Sequence, residues 1–253
     1  MNLCLALVLG LGLALGCDGD SDRPPNRPGG AGTGGAMPGP DGSVGIDSGF
    51  ANVITGLVCP VLDLRFPTSC DPLQDPAGID VLDLSSQAVG LADSSGAFSV
   101  SSNDPANATL VVAGEDATRR PSVLSTALFG GSATVVAPVM LLDDHDQLTA
   151  SLGVIEPNDT ASIALYAQEN GVPVPGVNVV APAGSINTFY DADDPTVWDP
   201  IGPTQTRGAV LMFGVPLESG LTDFTVIRPD QTVLNVQDVP VQSESTTVVR
   251  VEI

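Results

Sequence analysis

Ile79-Asp80-Val81-Leu82-Asp83-Leu84 sets acidic residues between apolar ones over six positions. That is the pattern of a short strand with one face buried and one face in water. Asp75-Pro76-Ala77-Gly78 precedes it, and Pro and Gly there mark a turn. Outward from this point, short Val/Leu/Ile segments recur at residues 54–61, 98–101, 108–113 and 134–142. Gly, Pro, Asn, Asp or Ser punctuates most of the gaps. Strands at about ten-residue spacing with such punctuation indicate a β-sandwich. Pro138 inside the last segment implies an edge strand or a bulge, because proline cannot donate to a ladder.

The second half repeats this outline. Pro173-Val174-Pro175-Gly176-Val177-Asn178-Val179-Val180 echoes residues 75–82, and Thr206-Arg207-Gly208-Ala209-Val210 echoes Ser94-Ser95-Gly96-Ala97-Phe98. Gly78 and Gly96 are 18 apart and Gly176 and Gly208 are 32 apart, so the second copy carries an insertion. Residues 191–199 fall in it. Between the halves, Asp143-Asp144-His145-Asp146 leads a segment with Leu148 and Leu152 four apart and Gly153 after it. Acids at the start and Gly at the stop predict a short helix. The expected organisation is a β-sandwich over residues 50–143, a helical hinge and linker over 144–160, and a second β-sandwich over 161–253.

These paired motifs resemble the carboxypeptidase regulatory-like domain, a transthyretin-like (prealbumin-like) sandwich with an Ig-like architecture. Asp75 to Leu82 supplies the family's second-strand pattern. Ala92-Asp93-Ser94-Ser95-Gly96-Ala97-Phe98 supplies its turn into the next strand, with Asp93, Gly96 and Phe98 matching. In the second copy Gln205 stands for Asp93 and Val210 for Phe98. The resemblance implies an all-β fold of two tandem sandwiches and a structural, stabilising or ligand-binding role. It implies no reaction.

Composition narrows the function classes. The chain has 253 residues, 30 acids against 8 basic residues, and a formal net charge of −22. Every basic residue is Arg, and Asp outnumbers Glu. A nucleic-acid partner or a polybasic membrane patch needs a basic face that is missing here. Residues 1–17 read MNLCLALVLGLGLALGC, with no charged side chain before the acidic stretch that begins at Asp18. The apolar run is too short for a membrane span and suits a signal peptide. Ala14-Leu15-Gly16-Cys17 resembles the lipobox of bacterial lipoproteins, which implies lipidation of Cys17 and a lipid anchor at the cell envelope. Residues 18–49 hold ten Gly and five Pro. No core forms from such a sequence, and it is expected to be a disordered tether spanning roughly 30 Å as a flexible coil.

Cys59 and Cys70 remain once the leader cysteine and Cys17 are assigned, and an even pair in an exported chain predicts a disulfide. His145 is the chain's one histidine, so any Ser-His-Asp or Cys-His device must use it. Among Asp143, Asp144 and Asp146 it is expected to be an exposed helix-start residue held protonated. No nucleophile motif accompanies it, and no catalytic residue or cofactor is assigned. Asp191, Asp193, Asp194 and Asp199 are the alternative: oxygen ligands for calcium in an adhesion module, or carboxylates of a metal-dependent envelope enzyme. The competing reading is a solvated acidic loop. Phe189, Tyr190 and Trp198 in the same region suggest either a binding patch or, the favoured reading, a contribution to the core. The overall expectation is an exported, lipid-anchored, non-catalytic module that binds an envelope protein or glycan, or serves as a spacer.

Overall fold

β-Strands dominate the described residues, in two series separated by one α-helix. The computed structural model describes residues 52–129, 134–194 and 196–253. The first series is β1 (Val53–Pro60), β2 (Asp80–Asp83), β3 (Val89–Leu91), β4 (Ala97–Ser101), β5 (Thr109–Val112), β6 (Arg119–Arg120), β7 (Ser122–Ser125) and β8 (Thr134–Leu141). Helix α1 (Leu142–Leu152) follows directly and ends at Gly153, which adopts φ 66°. The second series is β9 (Thr160–Glu169), β10 (Val172–Pro173), β11 (Asn178–Val180), β12 (Asn187–Asp191) and β13 (Trp198–Asp199). It continues through β14 (Ala209–Pro216), β15 (Leu221–Ile227), β16 (Val233–Pro240) and β17 (Thr246–Glu252). The all-β sandwich expected from the spacing is what the structure has.

The strands form three sheets. One has the order β4-β1-β8-β6 and another β11-β15-β16. Between them lies a ten-stranded sheet, β13-β12-β14-β9-β17-β7-β5-β2-β3, with β10 added to β9. The C-terminal strand β17 joins the two series. It runs parallel to β7 from Thr246↔Ser122 to Val248↔Leu124, and parallel to β9 from Thr246↔Ser162 to Glu252↔Gln168. The described residues from 52 onward form one compact unit.

Side-chain alternation along β9 shows how the layers stack. Ala164 and Tyr166 join a core with Ile54, Val58, Phe98, Leu110 and Val139. Ile163, Leu165 and Ala167 point the other way, into a core with Phe224, Val226, Val236 and Val239. β9 therefore buries both faces, which explains its nearly continuous run of apolar residues. β14 does the same, with Leu211 and Phe213 in the first core and Val210 and Met212 in the second.

Two local features follow from sequence. Pro138 sits opposite Cys59 in the β1–β8 pair. On its other side β8 is paired with β6 only at Met140 and Leu141, so the missing N–H of Pro138 leaves no cross-strand gap there. Gly96 adopts φ 82°, and a Cβ there would lie 2.3 Å from the Val58 carbonyl oxygen. Only glycine meets both conditions. Phe98, two residues on, is buried in the first core.

Candidate functional site

The Cys59–Cys70 disulfide is present, with the two Cα atoms 4.9 Å apart. It closes a ten-residue loop that carries Leu62, Asp63, Arg65 and Phe66. Arg65 is 8% exposed. Its Nε and Nη2 donate to Asp63, and Nη1 donates 2.8 Å to the Val197 carbonyl. The guanidinium also lies 5.4 Å from the ring centre of Trp198. Tyr166 on β9 donates its hydroxyl to the Leu64 carbonyl at 2.5 Å. The loop is thus fastened to the second series of strands at three points.

Against this loop and helix α1 lies a groove of about 480 Å³. Its walls include Leu62, Arg65, Asp144, Leu148, Val197 and Trp198. Leu62 and Val197 are exposed, and Leu148 packs on the first core. Two polar atoms of the lining residues are buried without a hydrogen-bond partner, Trp198 Nε1 and Asp144 Oδ2. Burial, together with the negative charges of Asp143 and Asp71, pushes the Asp144 carboxyl above the ordinary carboxylate value. Asp63 and Arg65 neutralise each other, so Asp144 is the uncompensated charge of the groove.

The next residue on α1 turns elsewhere. His145 is 3% exposed and meets Phe213 edge-on with ring centres 6.2 Å apart. Its Nε2 has no hydrogen-bond partner and lies 3.6 Å from Glu156 Oε2. Glu156 is paired with the buried Arg120 at 3.1 Å and accepts 2.6 Å from the Ser162 hydroxyl. Arg120 also donates to Ser162, to the Ser245 carbonyl and to Thr246. The expectation of an exposed, protonated histidine is corrected. Burial, and secondly the positive charge of Arg120, lower the His145 pKa from 6.5 to about 3. The aspartates beside it in sequence are outweighed by what it is packed against.

The acidic residues of the insertion do not converge. Asp191 is fully buried, and its carboxylate accepts backbone N–H groups from Gln205, Arg207 and Ala209. Asp194 caps its own turn through Thr196, and Asp199 does so through Ile201. Asp193 is exposed. Among the described residues no three His, Cys, Asp or Glu side chains are placed to hold a metal ion. Asp191 is therefore a structural anion that serves backbone amides and is not part of a solvated acidic loop. Phe189, Tyr190 and Trp198 are all buried. Phe189 and Trp198 belong to the first core and Tyr190 to the second, so the three do not form one surface patch. Trp198 alone lines the groove. Cys17 and the tether expected over residues 18–49 lie outside the described residues. Sequence reasoning passed over Arg65 and read Asp144 only as an acid at the start of the helix. The signal available for Arg65 was one of eight cations placed inside the disulfide loop.

No helix among the described residues is long and apolar enough to cross a membrane. No family model matches the chain, and no curated protein matches it. Among solved structures it is similar to the TIE protein of Bacillus anthracis, at 8% identity and a TM-score of 0.20. The match covers 80% of this chain and 33% of that one, so this chain spans about a third of that protein's length.

Proposed function

We propose that the chain is a lipid-anchored envelope protein whose folded body is a non-catalytic binding module of the transthyretin-like kind. The observation that carries this reading is the groove beside α1. It combines apolar walls at Leu62, Leu148 and Val197 with the polar residues Asp63, Arg65 and Asp144 on a frame held by a disulfide. Such a concave surface with a few convergent polar groups suits recognition. The titratable groups elsewhere support the non-catalytic part, since His145 and Glu156 sit in a buried network with Arg120, and Asp191 serves backbone amides. The leader ending at Cys17 and the Gly/Pro-rich residues 18–49 support the anchor and a tether.

Two measurements test it. Mass spectrometry of the mature membrane-bound protein is expected to find a diacylglyceryl-modified Cys17 and release on Cys17→Ser. A freely shed product with an unmodified terminus overturns the anchor. Carbodiimide crosslinking in cells joins carboxylates to amines, and this chain has no lysine. Every lysine crosslink it forms therefore reports a neighbour, and the absence of any overturns the binding module.

A further inference from the structure

The Cys59–Cys70 disulfide runs from the core to the surface. Cys59 is 0% exposed on β1 and belongs to the first core, whereas Cys70 is exposed at the end of its loop. Access decides which sulfur of a disulfide a thiolate attacks, and Cys59 offers none. Cys70 borders two open hollows of about 350 and 200 Å³. Asp71, Leu73 and Asp75 line the first and Asp63, Phe66 and Asp71 the second, and among the described residues no basic side chain lines either. Other contacts hold the loop independently of the sulfurs. The Asp71 N–H donates to the Pro60 carbonyl at 2.7 Å, next to the two cysteines. Arg65 and the Leu64 carbonyl fasten the loop to Val197 and Tyr166.

We propose that Cys70 is a thiol–disulfide exchange site, at which a protein dithiol opens the loop and its oxidised form closes it. In the opening step the partner's thiolate sulfur bonds to Cys70 Sγ and the Cys59–Cys70 bond breaks. The electron pair of that bond goes to Cys59 Sγ, which takes a proton and stays in the core as a thiol, a small apolar side chain. The partner's second thiol, as thiolate, then attacks the partner's first sulfur. Cys70 leaves, takes a proton, and the partner is oxidised by two electrons to its disulfide. Closing is the reverse. The acidic walls select the attacking group, since Asp63, Asp71 and Asp75 repel an anionic thiol and admit a neutral or cationic one. Opening uncouples from β1 the loop that carries Leu62 and Arg65, which line the groove beside α1.

The full chain carrying Cys4→Ser and Cys17→Ser keeps Cys59 and Cys70 as its remaining cysteines. Cysteamine is the first probe, added under native conditions, with acid quenching and mass spectrometry to locate the mixed disulfide. The adduct is expected on Cys70, in about tenfold or greater excess over Cys59. In urea both sulfurs are open and the excess should disappear. A native adduct on Cys59, an even split, or the same excess in urea overturns the proposal. Glutathione, an anionic thiol, should open the bond about tenfold more slowly than cysteamine at equal thiolate concentration and low salt, and the gap should narrow at about 1 M salt. Equal rates at low salt overturn the selection by Asp63, Asp71 and Asp75. Dithiothreitol, a dithiol, should reduce the native bond faster than the chain unfolds. Reduction no faster than unfolding overturns the exchange site, because the bond then opens only where the fold is lost.

Discussion

Asp191 accepts the backbone N–H of Ala209 at 3.0 Å, and Asp93 accepts that of Ala97 at 3.0 Å, although Asp191 lies 18 residues before its donor and Asp93 only four. Each also accepts the N–H two residues earlier, from Arg207 and Ser95, at 2.7 Å. The turn before the strand is thus organised by a carboxylate in both halves. In the second half that carboxylate arrives from the end of β12, and Gln205 occupies the position equivalent to Asp93. The environments differ, for Asp93 is exposed and Asp191 fully buried.

That difference predicts unequal losses. Asp191→Ala takes the carboxylate acceptor from the N–H groups of Arg207 and Ala209, while that of Gln205 keeps the Asp191 backbone carbonyl, and should cost on the order of 2–4 kcal/mol. Asp93→Ala should cost less, because water replaces the carboxylate. Asp191→Asn keeps one acceptor oxygen and should recover part of the loss. Urea unfolding followed by Trp198 emission measures all three; equal losses at the two aspartates contradict the account. Because the Asp191 oxygens are taken, millimolar calcium should leave the thermal midpoint unmoved.

His145 gives the stability a pH dependence of known sign. The unfolded chain binds a proton near pH 6.5, and the native chain does so only at about pH 3. The groups facing the imidazole are Glu156, Arg120 and Asp146. Its contribution is complete above pH 6.5 and is lost as pH falls toward 3, with a slope of up to about 1.4 kcal/mol per pH unit. His145→Phe keeps an aromatic edge against Phe213 and removes the titration. Between pH 5 and 7, above the range of ordinary carboxylates, its stability should be flat where the parent's falls with decreasing pH. A parent curve that is already flat there sinks the prediction.

How much of this could be read from sequence depends on whether the cause is local. The turns at Gly78, Gly96, Gly176 and Gly208 and the short strands after them are local, so both series of strands were legible. So was α1, with its leading acids and Gly153 stop. The shared sheet was not, because β17 finds β7 more than a hundred residues away, and parallel pairing leaves no turn signature. Both faces of β9 are covered, by side chains from strands far away in sequence. His145 was misread for a related reason: Asp143, Asp144 and Asp146 are adjacent in sequence, and Arg120 and Glu156 reach it only through the fold. The groove needs the disulfide loop, α1 and Val197–Trp198 together, and no periodicity links those three.

Gly96 and Gly78 separate backbone strain from crowding. Both have φ above 80°, but a Cβ at Gly78 meets nothing within 4 Å while one at Gly96 meets the Val58 carbonyl at 2.3 Å. Gly78→Ala should cost about 1 kcal/mol from the left-handed backbone alone. Gly96→Ala should cost clearly more, since β1 and the turn must also move apart. Denaturant midpoints of the two variants decide this, and a Gly96→Ala protein as stable as Gly78→Ala refutes the close approach.

The disulfide loop should matter to stability and to the groove by different routes. Cys59→Ser with Cys70→Ser frees a short loop, a loss of roughly 3 kcal/mol in the chain-entropy model. That loop also holds Arg65 beside Trp198 and presents the Leu64 carbonyl to Tyr166. Opening it should loosen the indole's cover, shift Trp198 emission to the red and increase its quenching by acrylamide under native conditions. Tyr166→Phe removes one fastening and leaves the covalent link, so it should lower stability while changing the emission less. If the double serine variant loses stability but its Trp198 signal stays put, the loop is held in place by Asp63–Arg65 and the Val197 carbonyl. The covalent link then stabilises the fold without shaping the groove.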